Sequence, residues 1–195
     1  MSMVSDGHDV DFGKGGLTVL QHIAGLPRWP DDASDAQRVN LLFEEAVIRD
    51  EFMSYAYAYD NHDLDAVLRH FSTDCVIDNP RGQVAGAAEI RANYRVLLGY
   101  WSLTRTLWSN VTVRILDASA TQAFVVAYHY AMLISDERRL AGAGVDIRRL
   151  DKTDGRWLIS RRWITDDVDF TIDVFHGAVE DPTRVVELLQ QADSD

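Results

Sequence analysis

The amino-acid sequence predicts an α+β fold in which a layer of helices covers one side of a curved antiparallel sheet. Helical periodicity dominates the first half of the chain, whereas apolar residues alternate with a period of two in the second half. The pair Asp154-Gly155, a strong tight-turn signal, separates the last two alternating segments. Helices and strands segregated in this way are typical of α+β domains, in which helices pack on one face of an antiparallel sheet.

A chain of 195 residues is predicted to form one domain with extensions. We assign residues 1–37 to an N-terminal extension with a short helical turn near its end, and residues 38–170 to the α+β domain. Residues 171–195 form a tail in which Asp181-Pro182 is predicted to start a short helix, because a capping residue precedes a proline.

Composition restricts the partners and the location of the protein. The net charge of −12 argues against nucleic acid and anionic membranes as partners. No apolar run is long enough to span a bilayer, and no secretory leader is visible, so a cytoplasmic location is expected. Cys75 is the single cysteine and forms no internal disulfide, which fits a reducing compartment.

The longest helix is predicted from Leu42 to Asp60, with capping residues between Asp31 and Ser34. Its apolar stripe, expected to face the core, consists of Val39, Phe43, Ala46, Met53 and Tyr57. Continuing this stripe leads to Asp60, in the last turn, where burial and the helix dipole both act to raise the pKa of a carboxylate. An acid in this position is costly unless it has a partner or a function.

The remaining elements follow from local signals. Asn61 is expected to close the long helix in a left-handed conformation, and Asp63 to cap a second, short helix. A short strand is predicted at Cys75–Asp78 and a third helix at Ala87–Leu98. Four strands are then predicted at Thr106–Leu116, Gln122–Ile134, Leu140–Leu150 and Trp157–Val168.

Several segments together resemble the SnoaL-like branch of the nuclear transport factor 2-like superfamily. They are residues 55–78, Gly86, residues 87–94, Asn110 and residues 154–163, and the resemblance extends over about residues 38–170. It implies a cone-shaped α+β fold with an internal pocket. Members of the superfamily include scytalone-type dehydratases, a dehydrochlorinase, polyketide cyclases, ketosteroid isomerases and noncatalytic small subunits of ring-hydroxylating dioxygenases.

The resemblance also implies catalytic residues. Asp60 lies where the dehydratase and dehydrochlorinase members carry a helix aspartate, and Tyr59 matches the tyrosine before it in scytalone-type enzymes. Those enzymes pair the aspartate with a histidine four residues before an asparagine, but counting back from Asn110 gives Thr106. We therefore consider His129, on the neighbouring strand, as a substitute. Arg162 matches a cationic position on the last strand of the dehydrochlorinase type.

Further candidates come from their positions along the elements. Tyr55 and Tyr59 are four residues apart and are expected to stack, with a hydroxyl reaching a ligand. Trp108, Asn110 and Trp163 either line the pocket or pack within the sheet. Arg161 and Arg162 must point to opposite faces of their strand, and the inward arginine needs an acid partner or an anionic ligand. Asp60 is the obvious candidate, and such a pair would keep Asp60 ionised and oppose the rise in its pKa. The histidines of the first two helices, His62 and His70, are expected to face solvent.

We therefore expect a lyase or isomerase acting on a small aromatic or polycyclic molecule by acid-base chemistry, through loss of water or formaldehyde, isomerisation or ring closure. No metal or cofactor is expected, because the sequence lacks metal-ligand spacing, a phosphate loop and a dinucleotide fingerprint. Two alternatives are a noncatalytic dioxygenase subunit and a ligand-binding module. An apolar outer sheet face would favour a homodimer or a higher closed oligomer.

Overall fold

The structure, a computed structural model, describes residue 23 and residues 25–171. Within these residues, three helices and seven strands follow one another. The helices are α1 (Asp35–Asp60), α2 (Leu64–Leu68) and α3 (Ala87–Tyr100). The strands are β1 (Phe71–Asn79), β2 (Gly82–Ala85), β3 (Leu103–Ile115), β4 (Gln122–Ile134), β5 (Arg139–Thr153), β6 (Arg156–Ile164) and β7 (Val168–Thr171).

The seven strands form a single sheet with the order β2-β1-β6-β5-β4-β3, and β7 pairs with β5. Strands β3 to β6 form the predicted antiparallel meander. The parallel pairing of β1 with β6 was not predicted. The predicted strand from Trp157 to Val168 is in fact divided, because β6 ends at Ile164 and β7 begins at Val168. The helix predicted from Asp181 lies outside the described residues.

Helix α1 begins with a capping box, in which Ser34 accepts from the backbone N–H of Gln37 and the Gln37 side chain binds back to Ser34. At its other end the left-handed residue is His62, with φ of 58°, and not Asn61 as predicted. The side chain of Asp63 caps α2 by accepting from the backbone N–H of Ala66, as expected.

The stripe predicted to face the core is exposed to solvent instead. Val39, Phe43 and Tyr57 are 69%, 64% and 65% exposed. The buried side chains of α1 are Leu41, Glu44, Glu45, Ile48, Phe52, Tyr55, Ala56 and Ala58. Two glutamates on this face are compatible with burial because both carboxylates have partners. Glu44 accepts from Lys152 and from the Trp157 indole, and Glu45 accepts from Arg28 and Arg49.

The main core lies between the helices and the inner face of the sheet. Cys75 is fully buried at the centre of β1, and burial raises the pKa of its thiol to about 12. His70 is also buried, contrary to the expectation that it faces solvent, and burial lowers the pKa of its imidazole to about 4. No helix in the described part of the chain is both long enough and apolar enough to cross a membrane.

A second, smaller cluster covers the outer face of the sheet. It consists of Ile23, Val126, Val145, Ile147 and Trp163. Ile23 is 3% exposed, so part of the N-terminal extension packs against this face. The outer face is therefore partly covered within the chain itself, whereas the stripe of α1 is exposed.

Candidate active site

A cavity of about 180 Å³ lies between α1, α3 and the inner face of the sheet. Its interior walls are mainly apolar and aromatic. They include Ile77, Leu97, Trp101, Trp108, Leu133 and Ile164. Pro80, Arg81 and Asp166 also line the cavity and are exposed, so they mark its mouth. The sheet register explains this composition, because Thr106 and Trp108 of β3 lie opposite Ala131 and His129 of β4.

A buried charge cluster lies beside the deep end of the cavity. The carboxylate of Asp146 accepts from both guanidiniums, with shortest distances of 2.7 Å to Arg148 and 2.7 Å to Arg162. Burial alone would raise the pKa of Asp146, but the two arginines hold this pKa well below its usual range. The guanidinium of Arg148 also lies over the rings of Phe52 and Tyr55, at 4.1 and 4.2 Å.

Arg162 connects this cluster to the cavity. Its Nη1 donates to the hydroxyl oxygens of both Tyr55 and Tyr94, which lie 2.8 Å apart. All three side chains line the cavity. Burial raises the pKa of Tyr94 well above its usual value, so its hydroxyl is protonated near neutral pH. The predicted inward arginine is thus Arg162, but its acid partner is Asp146 and not Asp60.

His129 lies on the wall formed by β4. Its Nε2 is 3.6 Å from a carboxylate oxygen of Asp166, and its ring lies 5.7 Å from that of Trp108. The facing position on β5 is Gly144, where a Cβ atom would lie 1.8 Å from the carbonyl oxygen of Thr165. Only glycine allows this close approach, so the wall beside His129 depends on the absence of a side chain at residue 144.

Two buried ring nitrogens near the cavity have no hydrogen-bond partner among the described residues, namely Nδ1 of His129 and Nε1 of Trp108. An unpartnered buried polar group costs about 1–3 kcal/mol. Both side chains line the cavity, so a molecule bound there is able to supply the missing partners.

Asp60 does not line the cavity but lies directly behind a residue that does. Its carboxylate accepts from the backbone N–H of Thr106 at 3.0 Å and from the Thr106 hydroxyl at 3.1 Å. Thr106 in turn lines the cavity. Asp60 is therefore half-buried and hydrogen-bonded to Thr106, the residue found where the family resemblance implies a histidine.

The other candidates divide into two groups. Tyr55, Tyr59 and Trp108 line the cavity, and the rings of Tyr55 and Tyr59 stack with centroids 6.3 Å apart, as predicted. Asn110 does not line the cavity, because it is exposed at a bulge in β3 with φ of 52°. Trp163 is buried in the cluster on the outer face of the sheet, one residue out of phase with the inward-facing Arg162.

The sequence-based reasoning missed Tyr94, Asp146, Arg148 and Asp166. A signal for two of them was present, because Asp146 and Arg148 are two residues apart on a predicted strand and must share a face. Two opposite charges on the inner face of a strand flanked by apolar residues indicate a buried pair. Tyr94 and Asp166 have no comparable signal, since their roles depend on tertiary contacts.

A family model described as the SnoaL-like domain matches residues 41–163. The chain therefore belongs to the SnoaL-like domain family, and the resemblance noted in the sequence is confirmed. None of the curated protein sequences matches the chain.

Solved structures with the same architecture confirm an α+β fold of the nuclear transport factor 2-like, or cystatin-like, type. Two come from Novosphingobium aromaticivorans. A provisionally named aromatic ring hydroxylase is 23% identical, with a TM-score of 0.62, covering 67% of this chain and 94% of that one. A provisionally named scytalone dehydratase is 20% identical, with a TM-score of 0.61, covering 69% and 91%.

The third structure is hexachlorocyclohexane dehydrochlorinase LinA-type3 from Novosphingobium barchaimii LL02. It is 15% identical to this chain, with a TM-score of 0.63, and the alignment covers 74% of this chain and 99% of that one. At such identities these similarities establish the fold, and the activity has to be argued from the residues of the cavity.

Proposed function

We propose that this protein is a lyase that eliminates water, or another small neutral group, from a one- or two-ring aromatic substrate without a cofactor. The observation that carries the proposal is a single small cavity lined both by an imidazole, His129, and by the Tyr55–Tyr94–Arg162 hydroxyl and guanidinium cluster. Two of the structures with this fold bear the names of elimination enzymes, a dehydratase and a dehydrochlorinase, which supports an elimination.

In the proposed reaction, His129 removes a proton from the carbon next to a substrate carbonyl. The freed electron pair forms a carbon–carbon double bond while the bond from the neighbouring carbon to its hydroxyl oxygen breaks. The proton held on His129 then passes to the departing hydroxyl, so that water leaves and the imidazole returns to its neutral form. Arg162 and the hydroxyl pair stabilise negative charge that develops on the carbonyl oxygen.

Two acids support this scheme without touching the reacting atoms. Asp166, 3.6 Å from Nε2 of His129, stabilises the imidazolium that forms after proton abstraction. Asp60 acts as a positioning residue, since it holds Thr106 in the cavity wall through two hydrogen bonds. The family resemblance implies a helix aspartate paired with a histidine. In the proposed site His129 pairs with Asp166 instead, and Asp60 binds Thr106.

The test uses β-hydroxy ketones fused to an aromatic ring, because their dehydration gives a conjugated product that absorbs in the near ultraviolet. We expect the wild-type protein to catalyse this loss, and His129→Gln to lower kcat/KM by about 100-fold or more. His62→Gln is the matched control, since its imidazole contacts Thr104 and lies outside the cavity lining. Full activity of His129→Gln would exclude the proposal. Failure of the wild-type protein to dehydrate these β-hydroxy ketones would exclude it as well.

A second candidate is a noncatalytic module that binds a ligand or serves as an assembly subunit. It is favoured by the engagement of Asp60 with Thr106, which removes the expected acid from the cavity, and by the exposed apolar stripe of α1. Recovery of the native protein in a complex with a much larger metal-containing subunit would support this reading. A purified protein that turns over a substrate by itself would contradict it.

A further inference from the structure

The short turn between β1 and β2 carries an arginine at the mouth of the cavity. Asn79 lies opposite Gly82 in the strand register, so Pro80 and Arg81 form the turn. The backbone N–H of Arg81 donates to Oδ1 of Asn79 at 2.9 Å, and Gly82 has φ of 128°. Proline restricts its own φ, and glycine accepts a positive φ without strain. The turn is therefore held at both ends, and it fixes the point from which the Arg81 side chain extends.

Two arginines line the cavity, and they differ in how they are paired. Arg162 is buried and binds the carboxylate of Asp146 through two nitrogens. Arg81 is exposed, and its guanidinium has neither an acid nor a hydrogen-bond partner among the described residues. The acid at the mouth, Asp166, lies beside His129 instead. One guanidinium at the mouth is therefore available to an anionic group of a ligand.

The charge of Arg81 acts on the interior of the cavity as well as on its rim. Burial raises the pKa of the Tyr59 hydroxyl to about 13, and the guanidiniums of Arg162 and Arg81 oppose this rise. Because Tyr59 lies on the cavity wall, Arg81 is within electrostatic reach of the space that a ligand would occupy. An anionic group that enters through the mouth would therefore be attracted to Arg81.

A second unpaired polar group lies on the same side of the cavity. Helix α3 packs against β1 and β2, and Asn93 of this helix lines the cavity and is half-buried. Its side-chain amide has no hydrogen-bond partner within the described part of the chain. An amide N–H group and a guanidinium both donate, and a carboxylate has two oxygens that accept. This side of the cavity thus offers two matching donors.

The size of the cavity determines where the rest of such a ligand lies. A cavity of about 150 Å³ is known to hold benzene, and the cavity here has a volume of about 180 Å³ with mainly apolar and aromatic walls. It fits one ring or a small fused pair. A charged substituent would remain at the mouth, because an ion is costly to transfer into an apolar interior. A steroid-like polycycle, which the sequence-based expectation allowed, is too large for the described cavity.

We propose that Arg81 and Asn93 form a carboxylate-binding subsite at the mouth, and that the ligand is an aromatic acid whose one or two rings occupy the cavity. A single unpaired guanidinium balances one negative charge, and its planar fork matches a carboxylate. The inference rests on the proposed function for the use of this cavity, and it deepens that function by naming an anionic substrate class. Binding at the mouth requires no turnover, so the two proposals can be tested separately.

The probe for this subsite is 2-naphthoate, which has two fused rings and is ionised at neutral pH, and 2-naphthamide is its neutral counterpart. We expect the wild-type protein to bind the carboxylate about fivefold more tightly than the amide, as measured by titration calorimetry. Because Arg81 is exposed, this preference should decrease with added salt. Equal affinity for the two probes, or no binding of 2-naphthoate at millimolar concentration, would overturn the proposal.

Variants locate the preference within the protein. Arg81→Gln should weaken the binding of 2-naphthoate by about fivefold and that of 2-naphthamide by less than about twofold. Arg95→Gln is the matched control, because it removes an exposed arginine of α3 that does not line the cavity, and it should keep the wild-type preference. Equal losses in these two variants would show that only net charge matters, and would contradict the subsite.

Two further tests concern the amide donor and the shape of the anion. Asn93→Ala should lose part of the preference for 2-naphthoate, and an unchanged preference would contradict the assignment of Asn93. A wild-type protein that binds 2-naphthalenesulfonate more tightly than 2-naphthoate would contradict the assignment to a planar carboxylate. Thermal unfolding of each variant checks that the fold is retained.

The last comparison separates this inference from the elimination. His129→Gln should abolish turnover of the β-hydroxy ketones and leave the preference for 2-naphthoate in place. If the wild-type protein shows the preference without turnover, the elimination proposal fails and the subsite stands. If it shows turnover and Arg81→Gln keeps the full preference, the subsite fails and the elimination stands.

Discussion

The carboxylate of Asp60 receives two hydrogen bonds from Thr106, one from its backbone N–H at 3.0 Å and one from its hydroxyl at 3.1 Å. This pair joins the end of α1 to the edge strand β3. It also holds Thr106 in the cavity wall, since Thr106 lines the cavity and Asp60 does not. Asp60 therefore reaches the cavity only through its contact with Thr106.

Removing the hydroxyl of Thr106 should lower the free energy of unfolding. Thr106→Val leaves the backbone bond to Asp60 in place but removes the side-chain donor to a charged acceptor, which costs about 1–3 kcal/mol. Urea denaturation measures this loss. Thr112→Val is the matched control on the same strand, because its hydroxyl binds only the carbonyl of Asn110 at the bulge. Equal losses in the two variants would show that the Asp60 contact contributes nothing specific.

The buried charge cluster should respond very differently to the loss of its acid and to the loss of one base. Asp146→Ala leaves two buried guanidiniums without a carboxylate and should cost about 3–5 kcal/mol. Arg148→Met leaves Asp146 paired with both donor groups of Arg162, and the methionine fills the space between Phe52 and Tyr55. It should cost about 2 kcal/mol or less. Chemical denaturation of both variants gives the order, and a costlier Arg148 variant would contradict the charge assignment.

Stability should fall between pH 6.5 and pH 4 because of His70. Its pKa is about 4 in the folded protein and about 6.5 in the unfolded chain, so the unfolded chain binds more protons in this window. The contribution is fully present above about pH 6.5 and is lost as pH falls toward 4, amounting to about 3 kcal/mol for a shift of this size.

The comparison is made with His70→Gln, by urea denaturation at several pH values. Its unfolding free energy should change less over this range than that of wild-type protein. Asp146 contributes only at the lower end of this window, where its carboxyl begins to bind a proton in the unfolded chain, and it does so equally in variant and wild type. Glu51, 3.1 Å from Nδ1 of His70, is the acid that opposes the effect. Equal slopes for variant and wild type would rule out His70 as the source.

Gly144→Ala should be strongly destabilising. The new Cβ would lie 1.8 Å from the carbonyl oxygen of Thr165 and 2.9 Å from Cε1 of His129, so the backbone after β6 must move. We expect a cost of about 3 kcal/mol or more in thermal or chemical unfolding. Gly99→Ala is the control, because this helical glycine has open space around it and the change should stabilise α3 by about 0.5–1 kcal/mol.

The exposed stripe of α1 should serve as a contact between copies of the chain. Phe43→Asp places a charge at the centre of the stripe and should reduce the mass of the assembly, as measured by light scattering at fixed concentration. Val96→Asp, 70% exposed on α3 and away from the stripe, should leave the mass unchanged. A wild-type protein that is monomeric at every accessible concentration would remove this expectation.

The sequence was sufficient for the order of the three helices and of the meander strands, since helical periodicity, period-two alternation and turn residues are local signals, but β2 was not predicted. Strand β4 was predicted with its observed limits, Gln122–Ile134. The inner face of α1 was not predictable in the same way, because Glu44 and Glu45 interrupt the apolar stripe that is buried. The partners of Glu44, Lys152 and Trp157, are more than a hundred residues away along the chain.

For the site, the sequence indicated residues but not their pairing. His129, Tyr55, Tyr59, Trp108 and Arg162 were selected and line the cavity. The acid partner of Arg162 could not be inferred, since the register of β5 with β6, and not sequence distance, places Asp146 beside it. Strand phase explains the error on Trp163, which neighbours Arg162 in sequence and therefore points to the other face.

The single thiol of Cys75 gives this protein a natural reporter of its own opening. A side chain that is fully buried, with its pKa raised to about 12, is almost inert toward aromatic disulfide reagents while the fold is closed. Each modification event therefore records a moment at which β1 separates from its neighbours. Colour development would time these excursions in wild-type protein without any introduced label, and a ligand that closes the fold would slow the reaction in proportion to its occupancy.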